Sequence, residues 1–240
     1  MQLLRIGILG GTGNMGRGLA IRWALKHDIL VGSRSLDKAN TVAKEQENIA
    51  RGFYQAEIQG SIKGVLNSDA VRESEIVVVT LPSEVIIQVM KKLSLCLHPK
   101  QIIISTVVSM KKTKGLFCYT PLTGEGRKHQ GKSAAEVVQE MVGTIPVVSA
   151  FQTVPATYLN NLDSVMNIDV LVASNYARAV AHASKLVRDI PNLRPLNVGP
   201  LENSRLIESL TPLLLNAAIL NNLQEPSIRV VPWMPSSFEE

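Results

Sequence analysis

A glycine-rich turn near the start of the chain has the residue types and spacing that suit phosphate binding. In the stretch GGTGNMG, Gly11, Gly13 and Gly16 have GxGxxG spacing, directly after an apolar run and at the start of a helical pattern. Such glycines permit a tight turn, close approach of the backbone to a pyrophosphate, and close packing of helix on strand. The unpaired NH groups at the helix start attract the anion. The strand, turn and helix context therefore predicts a dinucleotide site.

The end of the second predicted strand indicates which dinucleotide binds. An NAD site usually has a carboxylate about 20 residues after the glycines, where it accepts hydrogen bonds from the ribose 2'-hydroxyl. This chain has GSRSLDK there, so Ser33, Arg34 and Lys38 offer a hydroxyl and two cations to a 2'-phosphate. The pattern predicts NADP rather than NAD. In the alternative interpretation, Arg34 and Lys38 are solvated and Asp37 turns Lys38 outward.

The segment GPLENSRLIESLTPLLLNAAI, residues 199–219, mixes polar groups with a helical apolar pattern. Arg205, Ser209 and Thr211 lie among the leucines, and Pro212 has no NH to donate to the carbonyl of Glu208. That carbonyl is free for a ligand or water. The apolar residues recur at helical spacing and predict one buried stripe, formed by Leu206, Leu210, Leu213, Leu214 and Ala217.

Two polar residues of this segment also have purely structural interpretations. Thr211 is suited to be the N-cap of a fresh helix that has Pro212 in its first position. Arg205 has Glu202 and Glu208 nearby as partners for an ion pair.

The elements that position these residues follow an alternating pattern. Short apolar strands are predicted at 3–9, 29–34, 61–66, 75–82, 100–108 and 145–151, with helical stretches between most of them. This alternation predicts a parallel sheet covered on both faces, so we expect an α/β fold with a Rossmann-type doubly wound parallel sheet. An NADP-binding domain is expected at 1–148 and a smaller C-terminal α/β unit at 149–240. The basic, weakly patterned stretch 109–131 is expected as a loop.

Composition is typical of a soluble globular protein, with 45% hydrophobic and 19% charged residues among 240. No apolar run approaches the roughly 18 residues of a membrane span, and the N-terminus has no secretion-signal pattern, so we expect a cytoplasmic protein without membrane contact. The net charge is +5, but aromatic residues make up only 4%, which argues against a nucleic-acid platform of stacking rings. Cys96, Cys118 and the four scattered histidines have no metal-ligand spacing, so no metal site is expected.

The sequence resembles the archaeal NADPH-dependent coenzyme F420 reductases, also called F420:NADP oxidoreductases, in four stretches taken together. These are GGTGNMG, VGSR with a lysine four residues on, SAFQTVPA and GPLENSRLIESLTPLLLN. The resemblance implies hydride exchange between NADP(H) and an 8-hydroxy-5-deazaflavin, with the deazaflavin in a cleft that the C-terminal unit completes. It implies that Thr12, Gly13, Asn14 and Met15 line the pyrophosphate and that Ser83, Val108 and Ala156 border the nicotinamide half of NADP. It also implies deazaflavin binding by Gln152, Arg205, Ser209 and Thr211, and a homodimer or higher homo-oligomer.

Gln152 departs from the family pattern, because some relatives have a histidine there. Glutamine keeps hydrogen-bonding capacity but does not titrate near neutral pH. Hydride transfer between two aromatic cofactors requires no such residue, and no catalytic nucleophile is expected.

Two other functions stay open at this point. One is an NADP-dependent imine or keto-acid reductase resembling pyrroline-5-carboxylate reductase, and the other is a non-catalytic NADP(H)-sensing module. A group of basic residues either attracts the acidic tail of the deazaflavin or forms a solvated surface. Its members are Lys111, Lys112, Lys114, Arg127, Lys128 and Lys132.

Overall fold

The computed structural model describes residues 3–122, 129 and 131–231. The strands in these ranges are β1 (Arg5–Leu9), β2 (Asp28–Ser33), β3 (Ile62–Leu66), β4 (Ile76–Val79), β5 (Ile102–Ser105), β6 (Met110–Thr113), β7 (Leu116–Tyr119), β8 (Val147–Ser149), β9 (Ile168–Val172) and β10 (Leu193–Asn197). The helices are α1 (Asn14–Trp23), α2 (Leu36–Tyr54), α3 (Asn67–Glu73), α4 (Ser83–Leu93), α5 (Ala134–Val142), α6 (Ala156–Asn160), α7 (Ala177–Arg188) and α8 (Ser204–Asn221). In these ranges no helix is both long enough and apolar enough to cross a membrane.

Six strands form one parallel sheet in the order β3-β2-β1-β4-β5-β8. The strand order reverses between β1 and β4, which is the point where open α/β sheets bind ligands outside the carboxyl ends of their strands. This arrangement confirms the predicted Rossmann-type doubly wound sheet.

Both faces of the sheet are buried, which explains the continuous apolar runs in its strands. Ile8 of β1 packs in one core with Leu19 of α1 and Ala43 of α2. The next residue, Leu9, packs in a second core with side chains from three helices: Val71 of α3, Ile86 of α4 and Val137 of α5. The two cores hold the glycine turn after β1 between well-packed layers.

The C-terminal residues add a smaller α/β unit, in which β9 and β10 pair in parallel with α7 between them in the chain. Its side chains share a core with the main sheet, since Val170 and Leu186 belong to the same cluster as Ile8. The indole Nε1 of Trp23 also donates to the carbonyl of Leu186 at 2.9 Å. The two units therefore pack against each other, and a domain boundary at residue 148 stays a prediction.

The basic stretch 109–131 contains a hairpin, so the expectation of a loop was wrong for its first half. Strands β6 and β7 pair antiparallel, and Asn216 of α8 holds the hairpin by bonding both the NH and the carbonyl of Phe117, each at 2.7 Å. These contacts come from a distant part of the chain, which is why local pattern did not indicate the hairpin. Arg127 and Lys128 lie outside the described residues.

The predicted buried stripe of α8 was also wrong. Leu206 and Leu213 are 67% and 63% exposed, and the buried face of the helix is formed by Ser204, Ile207, Glu208 and Pro212. The helix is continuous from Ser204 to Asn221 with Pro212 inside it. Thr211 is therefore not the N-cap of a fresh helix.

Candidate functional site

The three glycines of the turn after β1 have different structural roles. Gly16 packs tightly, because a Cβ at that position would lie 2.6 Å from the Cα of Gly11. A Cβ at Gly13 would meet only the carbonyl of Gly10, at 3.3 Å. Gly13 is the N-cap of α1, and no side chain caps that helix end. The exposed turn at Gly13 thus leaves backbone NH groups and open space for a phosphate.

A cleft of about 890 Å³ lies at the carboxyl edge of the sheet and contains this turn. Five residues predicted from the sequence line it, namely Thr12, Gly13, Ser33, Arg34 and Lys38. Sequence reasoning missed other residues of its wall, including Ser35, Asn67, Ser68, Thr80, Gln88 and Lys92. Among the described residues that line the cleft, three are cations and no residue carries a carboxylate. The cleft therefore suits an anionic ligand.

The turn between β2 and α2 presents the first two of these cations. Ser35 is the N-cap of α2, and its hydroxyl accepts from the NH of Lys38 at 3.4 Å. The hydroxyl of the buried Ser33 accepts from the NH of Ser35 at 3.3 Å. Arg34 and Lys38 are exposed and line the cleft, whereas Asp37 is not part of its lining. The alternative in which Arg34 and Lys38 are solvated stays open.

The predicted residues for the nicotinamide half lie along the same edge but not on the lining of this cleft. Ser83 begins α4 after β4, Val108 follows β5, and Ala156 begins α6 after β8. All three are half-buried. Four other predicted residues are likewise outside the cleft lining, namely Gly11 in the turn and Asn14, Met15 and Gly16 in α1.

Helix α6 is fastened to α1, the helix that starts at the glycine turn. Asn160 donates from Nδ2 to the carbonyl of Asn14 at 2.9 Å. The buried Arg22 donates to three carbonyls at the end of α6, those of Leu159 at 2.9 Å and of Tyr158 and Asn161 at 2.8 Å each. Sequence reasoning missed these contacts, whose signal was only a cation inside an apolar helix.

The two helices also approach each other closely at one glycine. A Cβ at Gly18 would lie 2.5 Å from the Cβ of Leu159. The glycine turn and the loop that leads into α6 are consequently held in one fixed arrangement.

The loop after β8 is held from several directions. Phe151 adopts a left-handed backbone, with φ of 73°, which is strained for a bulky residue, and its ring packs edge-on against Trp23. The side-chain amide nitrogen of Gln152 donates to the carbonyl of Ser105 and the hydroxyl of Ser149, each at 2.8 Å. Gln152 therefore links the carboxyl ends of β5 and β8.

Thr211 is the residue of α8 that meets this loop. Its hydroxyl donates to the carbonyl of Gln152 at 2.8 Å. Of the four residues expected to bind deazaflavin, the structure thus joins Thr211 to Gln152. The side-chain oxygen of Gln152 is buried and has no hydrogen-bond partner among the described residues.

Arg205 and Ser209 are engaged elsewhere. The Arg205 guanidinium donates two hydrogen bonds to Glu136, from Nε at 2.7 Å and from Nη2 at 2.6 Å, and a third to Glu202 at 3.3 Å. Ser209 donates to the carbonyl of Leu206 in its own helix at 2.7 Å. The Glu202 pairing confirms one of the two expected partners of Arg205.

Glu208, the other expected partner of Arg205, is bonded differently. It is fully buried and accepts from the NH groups of Ala134 and Ala135 at the start of α5, at 3.0 and 3.2 Å. Burial raises the pKa of Glu208 to about 8, although the two NH donors act in the opposite direction. The expected Arg205–Glu208 pair was wrong because the helix start provides the partners of this carboxyl group.

The chain is similar to known reductases over almost its whole length. The family model described as NADP oxidoreductase coenzyme F420-dependent matches residues 5–109. The F420-dependent NADP reductase of Methanocaldococcus jannaschii is 35% identical over 232 residues, which cover 95% of this chain and 98% of that protein. A protein of the same name from Methanothermobacter marburgensis is 31% identical over 228 residues, with 95% and 98% covered. The fold matches a solved structure of a candidate F420-dependent NADP reductase from Arthrobacter sp. FB24, with a TM-score of 0.75, 17% identity, and 95% and 99% of the two chains covered.

Proposed function

Because the chain belongs to the family of F420-dependent NADP reductases, we propose that it transfers a hydride between NADP(H) and coenzyme F420, an 8-hydroxy-5-deazaflavin. The observation that carries the NADP part is the cleft at the carboxyl edge of the sheet, whose wall has three cations and no carboxylate. The relatives of known name favour this reaction over an imine or keto-acid reductase and over a non-catalytic sensor.

The cleft and its glycine turn fit NADP by their chemistry. The open position at Gly13 and the uncapped start of α1 suit a pyrophosphate. The hydroxyl of Ser33 and the cations of Arg34 and Lys38 suit a 2'-phosphate. We assign the pyrophosphate to Thr12, Gly13, Asn14 and Met15, and the 2'-phosphate to Ser33, Arg34 and Lys38.

The nicotinamide and deazaflavin ends are assigned from position along the same edge. Ser83, Val108 and Ala156 follow three neighbouring strands, and we propose that they border the nicotinamide. We propose Gln152, Arg205, Ser209 and Thr211 as the deazaflavin side. The Thr211–Gln152 contact supports this assignment, because it joins α8 to the loop that leads to Ala156.

When bound, NADPH would supply a hydride to the deazaflavin, which would also take up a proton. In the reverse reaction, the reduced deazaflavin would return the hydride to NADP and release the proton. The protein contributes alignment and exclusion of water rather than a nucleophile. The contacts of Asn160 and Arg22 hold the phosphate turn against α6, and the Gln152 amide holds the ends of β5 and β8. Gln152 does not exchange a proton near neutral pH, so its role in this proposal is to hold the two strand ends.

The proposed function is tested by mixing the protein with NADPH and oxidised coenzyme F420 and following the visible absorbance of the deazaflavin. Stoichiometric bleaching is expected with NADPH and much slower bleaching with NADH. Flavin mononucleotide is the control acceptor. NADPH binding with no bleaching of the deazaflavin would contradict the proposal.

We also propose that the protein forms a homodimer or higher homo-oligomer through α8. Leu206, Leu213 and Leu220 are each more than 60% exposed and recur every seven residues, so they lie along one side of the helix. Exposed apolar stripes of this kind usually mark an interface. Leu213→Glu is expected to lower the oligomeric state measured by sedimentation velocity, and an unchanged sedimentation coefficient would contradict the assignment.

A cytoplasmic location and the absence of nucleic-acid partners stay predictions. So does the attraction of the acidic deazaflavin tail by the exposed Lys111, Lys112 and Lys114 of the hairpin. Lys132 is paired with Glu140.

A further inference from the structure

Asn67 stands at the carboxyl end of β3, beside the proposed 2'-phosphate site. Leu66, the last residue of β3, is the register partner of Ser33 at the end of β2. Asn67 follows directly and begins α3. Asn67 is one of the residues that line the cleft, although only 9% of it is exposed.

The amide oxygen of Asn67 is buried and has no hydrogen-bond partner among the described residues. It lies over Gly32 of β2, because a Cβ at that glycine would come within 2.6 Å of it. The glycine of the VGSR motif therefore makes room for this amide one residue before Ser33. A buried acceptor without a donor is costly, so a donor from a ligand in the cleft would satisfy it.

The chemistry of NADP limits which donor reaches Asn67. The pyrophosphate and the 2'-phosphate carry acceptor oxygens, so neither supplies a donor at neutral pH. On the adenosine half, the donors are the 6-amino group of adenine and a ribose hydroxyl. Aliphatic side chains line the same cleft, namely Leu66, Val89 and Leu93, and such a wall suits the flat face of a base better than a ribose.

We propose that Asn67 is a specificity-determining residue that accepts a hydrogen bond from the 6-amino group of the adenine of NADP(H). This inference rests on the proposed binding of NADP in the cleft. It adds a contact to the base, whereas Ser33, Arg34 and Lys38 recognise only the 2'-phosphate.

The test compares the dissociation constants of NADPH and of its hypoxanthine analogue, which carries an oxygen in place of the 6-amino group. Both are measured by titration without deazaflavin, so the result does not depend on hydride transfer. Wild-type protein is expected to prefer NADPH by about tenfold, as for the loss of one hydrogen bond. Asn67→Leu has similar size and no acceptor, and it is expected to bind the two cofactors equally.

A second variant keeps the proposal testable if Asn67→Leu does not fold. Asn67→Asp retains acceptor oxygens and shape, so the preference for NADPH should persist while a negative charge near the phosphates weakens binding of both cofactors. Asn40→Leu is the matched control, because Asn40 is exposed on α2 and outside the cleft lining. It should leave both dissociation constants unchanged.

Retention of the tenfold preference in folded Asn67→Leu would overturn the proposal, as would a wild-type protein that binds both cofactors equally. In Asn67→Leu, an equal weakening for both cofactors would also overturn it, because a contact to ribose or a purely structural role predicts that pattern. These outcomes leave the proposed function intact if the wild-type protein still bleaches coenzyme F420. Failure of the wild-type protein to bind NADPH would instead remove the premise of both.

Discussion

Arg205 of α8 and Glu136 of α5 face each other through two parallel hydrogen bonds, with Nε at 2.7 Å from Oε2 and Nη2 at 2.6 Å from Oε1. Glu136 is itself part of a capping box with Ser133 at the start of α5. The guanidinium is therefore held in a fixed orientation by a carboxylate whose own position is fixed. The pair joins the helix proposed for the deazaflavin side to the layer that covers the main sheet.

Replacing Arg205 by Ala tests its proposed role toward the deazaflavin. If its charge stabilises the acceptor as the hydride arrives, the barrier should rise by about 2 to 4 kcal/mol, as for other positioned donors. Deazaflavin turnover should fall accordingly, and the dissociation constant of NADPH should hardly change. Steady-state kinetics and NADPH titration on one preparation measure both.

Glu136→Gln is the matched control for this prediction, since it breaks the ion pair and keeps the guanidinium. The pair is partly solvated, so its loss should cost at most about 1 kcal/mol of stability. Equal kinetic defects in the two variants would show that Arg205 acts only through the ion pair. Unchanged kinetics in Arg205→Ala would remove the residue from the site.

Cofactor choice should depend on Arg34. Arg34→Glu places a carboxylate in the cleft where the 2'-phosphate is proposed, and like charges then oppose each other. We expect the affinity for NADP to fall by about a hundredfold or more, as for the loss of a charge-assisted bond of about 3 kcal/mol, with a smaller effect on NAD. Arg51→Glu, at an exposed position on the same helix layer, should change neither affinity. Wild-type protein that binds NADP and NAD equally well would refute the assignment.

The glycine turn provides a contrast between binding and folding. Gly13→Val should leave the domain folded, because a Cβ at that position would meet only the carbonyl of Gly10, at 3.3 Å. It should abolish NADP binding, because the branched side chain would occupy the space proposed for the pyrophosphate. Gly16→Val should instead prevent folding, since its Cβ would lie 2.6 Å from the Cα of Gly11. Circular dichroism and NADP titration distinguish the two. Normal NADP binding by Gly13→Val would place the phosphate site elsewhere.

The contribution of Glu208 to stability should decline as pH rises. Burial raises the pKa of its carboxyl group in the folded protein to about 8, from an ordinary value of 4.5. A folded pKa above the unfolded one means that the contribution to stability is complete below the unfolded pKa and is lost as pH rises through the folded pKa. The melting temperature of the wild-type protein, measured relative to that of Glu208→Gln, should therefore fall between pH values of about 5 and 8. The comparison with this variant removes the opposite effect of His27, whose pKa is lowered by burial.

Glu208→Gln does not ionise, so its melting temperature should lack the decline that Glu208 causes over this pH range. The variant loses one acceptor for the NH groups of Ala134 and Ala135, at a cost of about 1 kcal/mol, and it should be less stable in acid. Parallel pH profiles for the two proteins would mean that the carboxyl group does not titrate in this range.

The sheet and the glycine turn after β1 were predictable because their signals are local. Gly11, Gly13 and Gly16 stand next to the strand and helix that they connect, and Arg34 stands where the second strand ends. The opposite wall of the cleft was not predictable in this way. Asn67 and Lys92 reach the cleft only because β3 and α4 fold to the same edge, and nothing in their immediate sequence indicates it.

The last helix shows the limit of apolar periodicity. Leu206 and Leu213 fit a helical stripe as well as Ile207 does, yet only Ile207 is buried. Glu208 lies on the buried face of the helix, where its carboxyl group accepts hydrogen bonds at the start of α5. These partners are 74 and 73 residues away in the chain. A charged residue is a poor guide to a buried face unless its distant partners are known.

For protein engineering, the residues proposed to select the cofactor differ from the residues that hold α6 against α1. Arg34 and Lys38, which we propose to bind the 2'-phosphate, are exposed, so a designer can vary them with little disturbance to the rest of the site. Asn160 and Arg22 hold the phosphate turn against α6 through backbone carbonyls, and these acceptors do not change when neighbouring side chains are varied. Libraries that alter cofactor preference are best confined to the turn after β2, and substitutions at Asn160 or Arg22 belong in a separate search for altered hydride-transfer geometry.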